Sequence, residues 1–261
     1  MMRTLFIHAG THKTGTTSVQ WYLNRHGRKL MRHGTYVPKA GCPSARSSGH
    51  HNIPWLLMGD PRAKVEHGGI DALLAELAEV DSPQAVVSSE EFQFLADRPL
   101  ALAELDHRIH EAGWRPVYLM YLRAPGAYAN SLYREFPLQN IHVPFADFLA
   151  GVLADGAYQP PGEVILRLDY DVLVEKWRAA AKGELRLLSY EAASAAGGII
   201  PAFMGALGLP ERTAQFRQRR INTSSGVTTD EMRGGAKLID AKFRPAFERH
   251  VAETAATRNA A

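Results

Sequence analysis

The chain has 261 residues, 46% of them hydrophobic and 22% charged, a balance that excludes a disordered, collagen-like or low-complexity polymer. Its single cysteine, Cys42, excludes a disulfide framework and a cysteine-rich zinc site. A net charge of +3 leaves room for an anionic ligand but falls well short of the footprint of a dedicated nucleic-acid binder, so no nucleic-acid partner is expected. Apart from His50-His51 the eleven histidines are scattered singly, with no i, i+4 zinc pair enclosing a glutamate, and no metal site is expected. The first residues read straight into a strand rather than a leader. The longest weakly polar run, 197–209, contains Pro201 and is shorter than the ~18 apolar residues of a membrane span. A soluble cytoplasmic protein is the expectation.

The apolar run Thr4-Leu5-Phe6-Ile7-His8 predicts a buried strand, and Val19, Tyr22, Leu23, Leu30 and Met31 predict a helix over 17–31. Residues 34–49, rich in Pro, Gly and Ser, read as a surface loop. A helix over 70–80 and a buried strand over 84–89 follow, then a helix over 100–112 and a third strand over 116–122 that runs into a helix ending near 136. Further on, a helix is predicted over 171–181, a fourth strand over 184–189, a helix over 199–207, a polar stretch over 211–226, and a last amphipathic helix over 229–247 broken at Pro245. The alternation predicts one α/β domain over the whole chain. Its P-loop-like fold has three layers, with a central, mostly parallel sheet flanked by helices.

Between the first strand and helix lies Gly10-Thr11-His12-Lys13-Thr14-Gly15-Thr16-Thr17. It nearly matches the nucleoside-triphosphate loop G-x-x-x-x-G-K-[ST], but Thr16 stands where the lysine belongs and the lysine, Lys13, lies inside the loop. No strand ends in a metal-binding aspartate of the kind a triphosphatase needs. What remains is an anion cradle: backbone N–H groups at a helix N-terminus, hydroxyls from Thr14, Thr16, Thr17 and Ser18, and a mobile cation on Lys13. A plain glycine turn would explain the glycines but not the lysine and the hydroxyls.

The segment from Ile7 to Ser18 resembles the 5′-phosphosulfate loop of sulfotransferases that use 3′-phosphoadenosine 5′-phosphosulfate (PAPS), and this resemblance accounts for the displaced lysine. It implies that Thr11, His12, Lys13, Thr14, Gly15, Thr16, Thr17 and Ser18 line the 5′ side of the nucleotide. Tyr121-Leu122-Arg123-Ala124-Pro125 with Ser131-Leu132-Tyr133 resembles the same family's 3′-phosphate site, with Arg123 at a strand end and Ser131 eight residues on, about two helical turns. Weaker likeness to bacterial carbohydrate-type members covers Leu168 to Asp171, Leu187 to Glu191 and Arg220 to Ser225. A late polar loop closes over the nucleotide in the family, and Arg217, Arg219, Arg220, Asn222 and Ser224 are the candidates here, with Arg220 and Asn222 as the chosen pair.

Sulfuryl transfer to a hydroxyl also needs a general base, and Lys13 would stabilise the leaving phosphate. Glu90, just past the strand Val86-Val87-Ser88, falls where many family members carry a catalytic histidine, and burial raising its pKa toward neutrality would suit it to the task. His51, opening an apolar segment after the Pro- and Ser-rich loop, is the rival. Each has a plainer reading, Glu90 as a first-turn carboxylate and His51 as an exposed loop residue.

The resemblance therefore implies transfer of a sulfuryl group from PAPS to an acceptor hydroxyl on a saccharide or glycolipid, with PAP as product and no metal required. The rival classes are an ATP-dependent small-molecule kinase and a non-catalytic nucleotide-binding or interaction module. The loops 38–54 and 137–161 are expected to shape the acceptor pocket.

Overall fold

The computed structural model describes residues 2–44, 47–161, 164–216 and 228–259. Strand β1 (Arg3–His8) passes through the glycine loop into helix α1 (Thr16–Met31). Strand β2 (Thr35–Tyr36) lies inside the stretch expected to be loop, pinned because Gln84 Nε2 donates to Thr35 Oγ1 at 2.7 Å. Helices α2 (Asn52–Met58) and α3 (Ile70–Ala78) lead to β3 (Gln84–Ser88), a 3-10 helix over Glu90–Asp97, α4 (Pro99–Glu111) and β4 (Trp114–Leu122).

Beyond β4 come α5 (Pro125–Tyr133) and α6 (Phe145–Asp155). Helix α6 occupies much of the 137–161 stretch expected to be loop, because Phe145, Phe148 and Val152 form a buried stripe at helical spacing. The short strands β5 (Ala157–Tyr158) and β6 (Leu166–Arg167) pair antiparallel with each other. The order then runs α7 (Tyr170–Ala180), β7 (Glu184–Ser189), α8 (Tyr190–Ala195), α9 (Ile199–Ala206) and α10 (Asp230–Asn259). Pro245 does not break α10 as its sequence implies. Its side is exposed, where water can satisfy the carbonyl it leaves unpaired, while Phe243 and Phe247 on the opposite side stay buried.

The main sheet has the order β2-β3-β1-β4-β7, and every pairing within it is parallel. Side chains alternate strictly between two cores. Leu5, Ile7, Val87, Tyr118 and Met120 join the core with α3 to α7 and α10, whereas Phe6, Val86, Val117, Leu119 and Tyr121 join the core with α1 and α9. The result is the expected three-layer α/β arrangement. The chain visits β3 on one side of β1 and then crosses to β4 on the other. The ends of β3, β1 and β4 therefore sit side by side where the winding direction reverses, the place where open α/β sheets bind ligands. Among the described residues no helix is long and apolar enough to cross a membrane.

Candidate active site

The glycine loop is fastened to the neighbouring strand. Ala9 N donates to Leu119 O at 2.9 Å, and Thr11 gives both its N–H and its hydroxyl to Tyr121 O. Thr14 Oγ1 donates to Thr11 O at 2.6 Å, so the hydroxyls of Thr11 and Thr14 shape the loop itself. Lys13 has φ +64° and Gly15, which precedes α1, has φ +83°. Left-handed residues on either side of Thr14 give the loop the alternating backbone in which neighbouring N–H groups can converge on an anion. Thr16 opens α1, and its hydroxyl oxygen is buried with no hydrogen-bond partner. Thr17 and Ser18 are half-buried in the same first turn.

Arg123 follows the end of β4. Its Nη1 donates to Lys13 O at 3.0 Å, its guanidinium lies 5.2 Å from the centre of the Tyr190 ring, and its buried Nε has no partner. Ser131 is buried on α5, and its Oγ is also without a partner. Glu135 lies one helical turn beyond Ser131 on the same face, and its carboxylate accepts from Lys13 Nζ at 3.0 Å. The face of α5 bearing Ser131 thus looks at the glycine loop. Among the buried polar atoms without partners, Thr16 Oγ1, Arg123 Nε and Ser131 Oγ are donors on the segments that follow β1 and β4, which are adjacent strands. Their chemistry fits a ligand that carries two anionic groups.

The third strand end carries Glu90 in the first turn of the 3-10 helix, where Ser89 Oγ caps Glu91 N. Glu90 Oε2 accepts from Gln20 Nε2 at 2.7 Å and lies 3.9 Å from His51 Nδ1. His51 Nδ1 in turn lies 2.8 Å from Ser89 Oγ, and its ring stacks on Trp55 at 5.5 Å. His12, from the glycine loop, packs against Phe94 with its Nε2 buried and without a partner. Glu90 and His51, alternatives for one role in the sequence, are neighbours in space.

Burial pushes the Glu90 carboxyl up, but the charges of His12 and His51, a backbone N–H and the Gln20 amide outweigh it, leaving the group below the usual carboxylate range. The elevation expected of a buried base is therefore absent: Glu90 is a carboxylate across the neutral range. Beneath the loop, burial lowers His8 to about 4, with Glu90 opposing. A Cβ on Gly10 would lie 2.8 Å from His8 Nε2, so this neutral ring forms the floor of the loop. His50 is likewise held down by burial and bridges Pro38 O and Ser88 N, tying the 38–50 segment to β3.

Gln20 and Glu135 were not singled out by the sequence. The available signal was helical phase: Gln20 lies four residues after Thr16, and Glu135 four after Ser131. Arg220 and Asn222 lie outside the described residues, as do Arg217, Arg219 and Ser224. Among the described residues no cluster of three or more His, Cys, Asp or Glu side chains could hold a metal ion.

A glycine loop at a helix N-terminus, buried donors without partners and a carboxylate thus meet at three adjoining strand ends of this α/β sheet. A solved sulfotransferase from Alicyclobacillus acidocaldarius is similar to the chain with a TM-score of 0.51 at 15% identity, covering 97% of each chain. The chain therefore has a sulfotransferase-like fold. No family model matches it, and no curated protein sequence matches it.

Proposed function

We propose that the chain is a sulfotransferase that moves a sulfuryl group from PAPS to an acceptor hydroxyl, and that the acceptor is a saccharide or glycolipid. The observation that carries the reading is the set of buried, unpartnered donors at two adjacent strand ends, Thr16 Oγ1 on one side and Arg123 Nε with Ser131 Oγ on the other. A nucleotide with phosphate at both the 3′ and 5′ positions satisfies both sets. The saccharide class rests on the resemblance to carbohydrate-type enzymes in the later segments of the sequence.

When bound, PAPS supplies the activated sulfuryl group. The loop N–H groups with Thr16, Thr17 and Ser18 hold its 5′ side, and Arg123 and Ser131 hold the 3′-phosphate. Lys13 offers its ammonium to the oxygen that gains charge as the sulfur–oxygen bond to the phosphate breaks. Glu90 takes the acceptor proton as the new sulfur–oxygen bond forms, leaving PAP and a sulfate ester. Gln20 fixes one oxygen of Glu90, and His51 lies 3.9 Å from the same oxygen. Arg220 and Asn222 are proposed to close over the nucleotide.

Thermal-shift and calorimetric titration with PAP, with ATP plus magnesium, and with buffer test the reading. Stabilisation by PAP alone supports sulfuryl transfer, and a screen of saccharides, glycolipids and small alcohols with labelled PAPS then identifies the acceptor. Stabilisation by ATP and magnesium alone would make the chain a kinase, and no response to either would make it an interaction module.

A further inference from the structure

We infer that Glu135 is a specificity-determining residue, one that tunes the glycine loop to a terminal sulfuryl group and against a terminal phosphoryl group of the same shape. The inference rests on the nucleotide reading above and goes beyond it to the charge of the donor.

The motive is a contact that works against anion binding. Lys13 is the only lysine in the loop, and its ammonium is already paired with a carboxylate at 3.0 Å. Both side chains are largely buried, with 21% and 28% of their surface exposed, and they come from segments 122 residues apart. An exposed pair could break freely in water, but this one joins the loop after β1 to the turn after α5. A site built for maximal affinity toward phosphate would leave its lysine free.

Charge counting gives the pair a purpose. The ammonium of Lys13 and the carboxylate of Glu135 cancel, so the loop holds its ligand mainly with neutral donors, the backbone N–H groups and hydroxyls at the start of α1. Among the described residues, Arg123 donates to Lys13 O and Glu90 interacts with His12 at the border of the loop, and Glu191 accepts from Ala124 N beside Arg123. A terminal sulfuryl group carries one negative charge. A terminal phosphoryl group has the same tetrahedral form and three acceptor oxygens but carries about −1.5 to −2 at neutral pH. Its additional charge must sit near the Glu135 carboxylate. At a separation of roughly 6 Å and an effective dielectric near 20, the Glu135 carboxylate by itself shifts the ratio of the two affinities toward the sulfuryl group on the order of ten- to a hundredfold, against the opposite pull of Lys13.

PAPS and adenosine 3′-phosphate 5′-diphosphate differ only in this terminal group, and their affinities can be compared by calorimetry in EDTA on the full chain. Wild type should prefer PAPS. Glu135→Gln should lower that ratio at least about fivefold, chiefly by tightening the diphosphate, and Glu135→Ala should move it the same way. Glu135→Asp, which keeps the charge, should retain a preference for PAPS. An unchanged ratio in the Gln and Ala variants overturns the inference, as does a wild type that binds both nucleotides equally, and either result leaves the nucleotide reading intact. A wild type that binds neither removes the nucleotide reading and this one together.

Discussion

His51 Nδ1 lies 3.9 Å from Glu90 Oε2, across the gap between the start of α2 and the end of β3. The two side chains form one electrostatic unit with Gln20 and His12, so replacing either perturbs the other. The geometry also ranks them. His51 Nδ1 is engaged by Ser89 Oγ at 2.8 Å, whereas Glu90 is a carboxylate across the neutral range whose Oε2 is steadied by Gln20.

If Glu90 is the base, Glu90→Gln should keep PAP affinity and lose about 10²–10⁴-fold in kcat. His51→Asn should lose far less and act mainly on the acceptor KM. The pH profile of kcat/KM separates the assignments independently. Because Glu90 is held below the usual carboxylate range, its acid limb should lie below that range as well. A limb near 6.5, the ordinary imidazole range, would assign the base to a histidine.

At the 3′ position, Arg123→Ala should weaken PAP binding by about 1.5–3 kcal/mol, the range for hydrogen bonds to charged groups, and weaken 5′-AMP binding far less. Ser131→Ala should act in the same direction with a smaller loss. Calorimetric titration of both nucleotides decides the matter: equal losses for PAP and 5′-AMP would take Arg123 out of the 3′ site.

Much of this architecture is legible in local patterns. The strands around Leu5 to Ile7, Ala85 to Val87 and Val117 to Leu122 are short apolar runs ended by turn residues, and the glycine loop announces itself by Gly10, Gly15 and its hydroxyls. Helix α6 is harder to read because Gly151 lies inside it, Pro144 and Gly156 bound it closely, and only Phe145, Phe148 and Val152 define its buried stripe. Strand β2 has two residues and exists through its pairing with Gln84 and Ala85, which no local pattern encodes. In the site, the residues of contiguous motifs are legible and their partners are not. Gln20 meets Glu90 across 70 positions and Glu135 meets Lys13 across 122, so only the folded sheet brings them together.

The mounting of α5 makes a separate prediction. A Cβ on Gly126 would lie 2.4 Å from Ala236 O, a backbone atom of α10 that cannot swing aside, and Gly126 N donates to Asp240 Oδ1 at 2.8 Å. Gly126→Ala should therefore destabilise the fold by about 1–3 kcal/mol through overpacking, read as a lower urea midpoint. Because α5 carries Ser131, PAP affinity should fall as well. A variant of wild-type stability would mean that the two helices separate at little cost.

Stability should also depend on pH through His8, whose imidazole is fully buried beneath the loop and lies 2.8 Å from Ser88 Oγ through Nδ1. Its folded pKa is lowered to about 4 from a reference value of 6.5, chiefly by burial. Between those values the unfolded chain binds a proton that the native state refuses. Native stability therefore rises with pH across the window and is lost as pH falls from about 6.5 toward 4. The slope approaches 1.4 kcal/mol per pH unit, and the total is about 3 kcal/mol. His50 is lowered by burial too and adds a slope of the same sign. Glu90 contributes in a different window: its lowered pKa gives stability that disappears only below the carboxylate range. Urea unfolding at pH 7, 6 and 5 can isolate the His8 share. His8→Gln keeps a polar group beside Ser88 but does not titrate, so its unfolding free energy should depend less steeply on pH between 6.5 and 4.5, by roughly 1 kcal/mol per pH unit. Parallel pH dependences for the variant and the wild type would show that His8 titrates in the native fold as it does in the unfolded chain, and that burial does not keep the ring neutral.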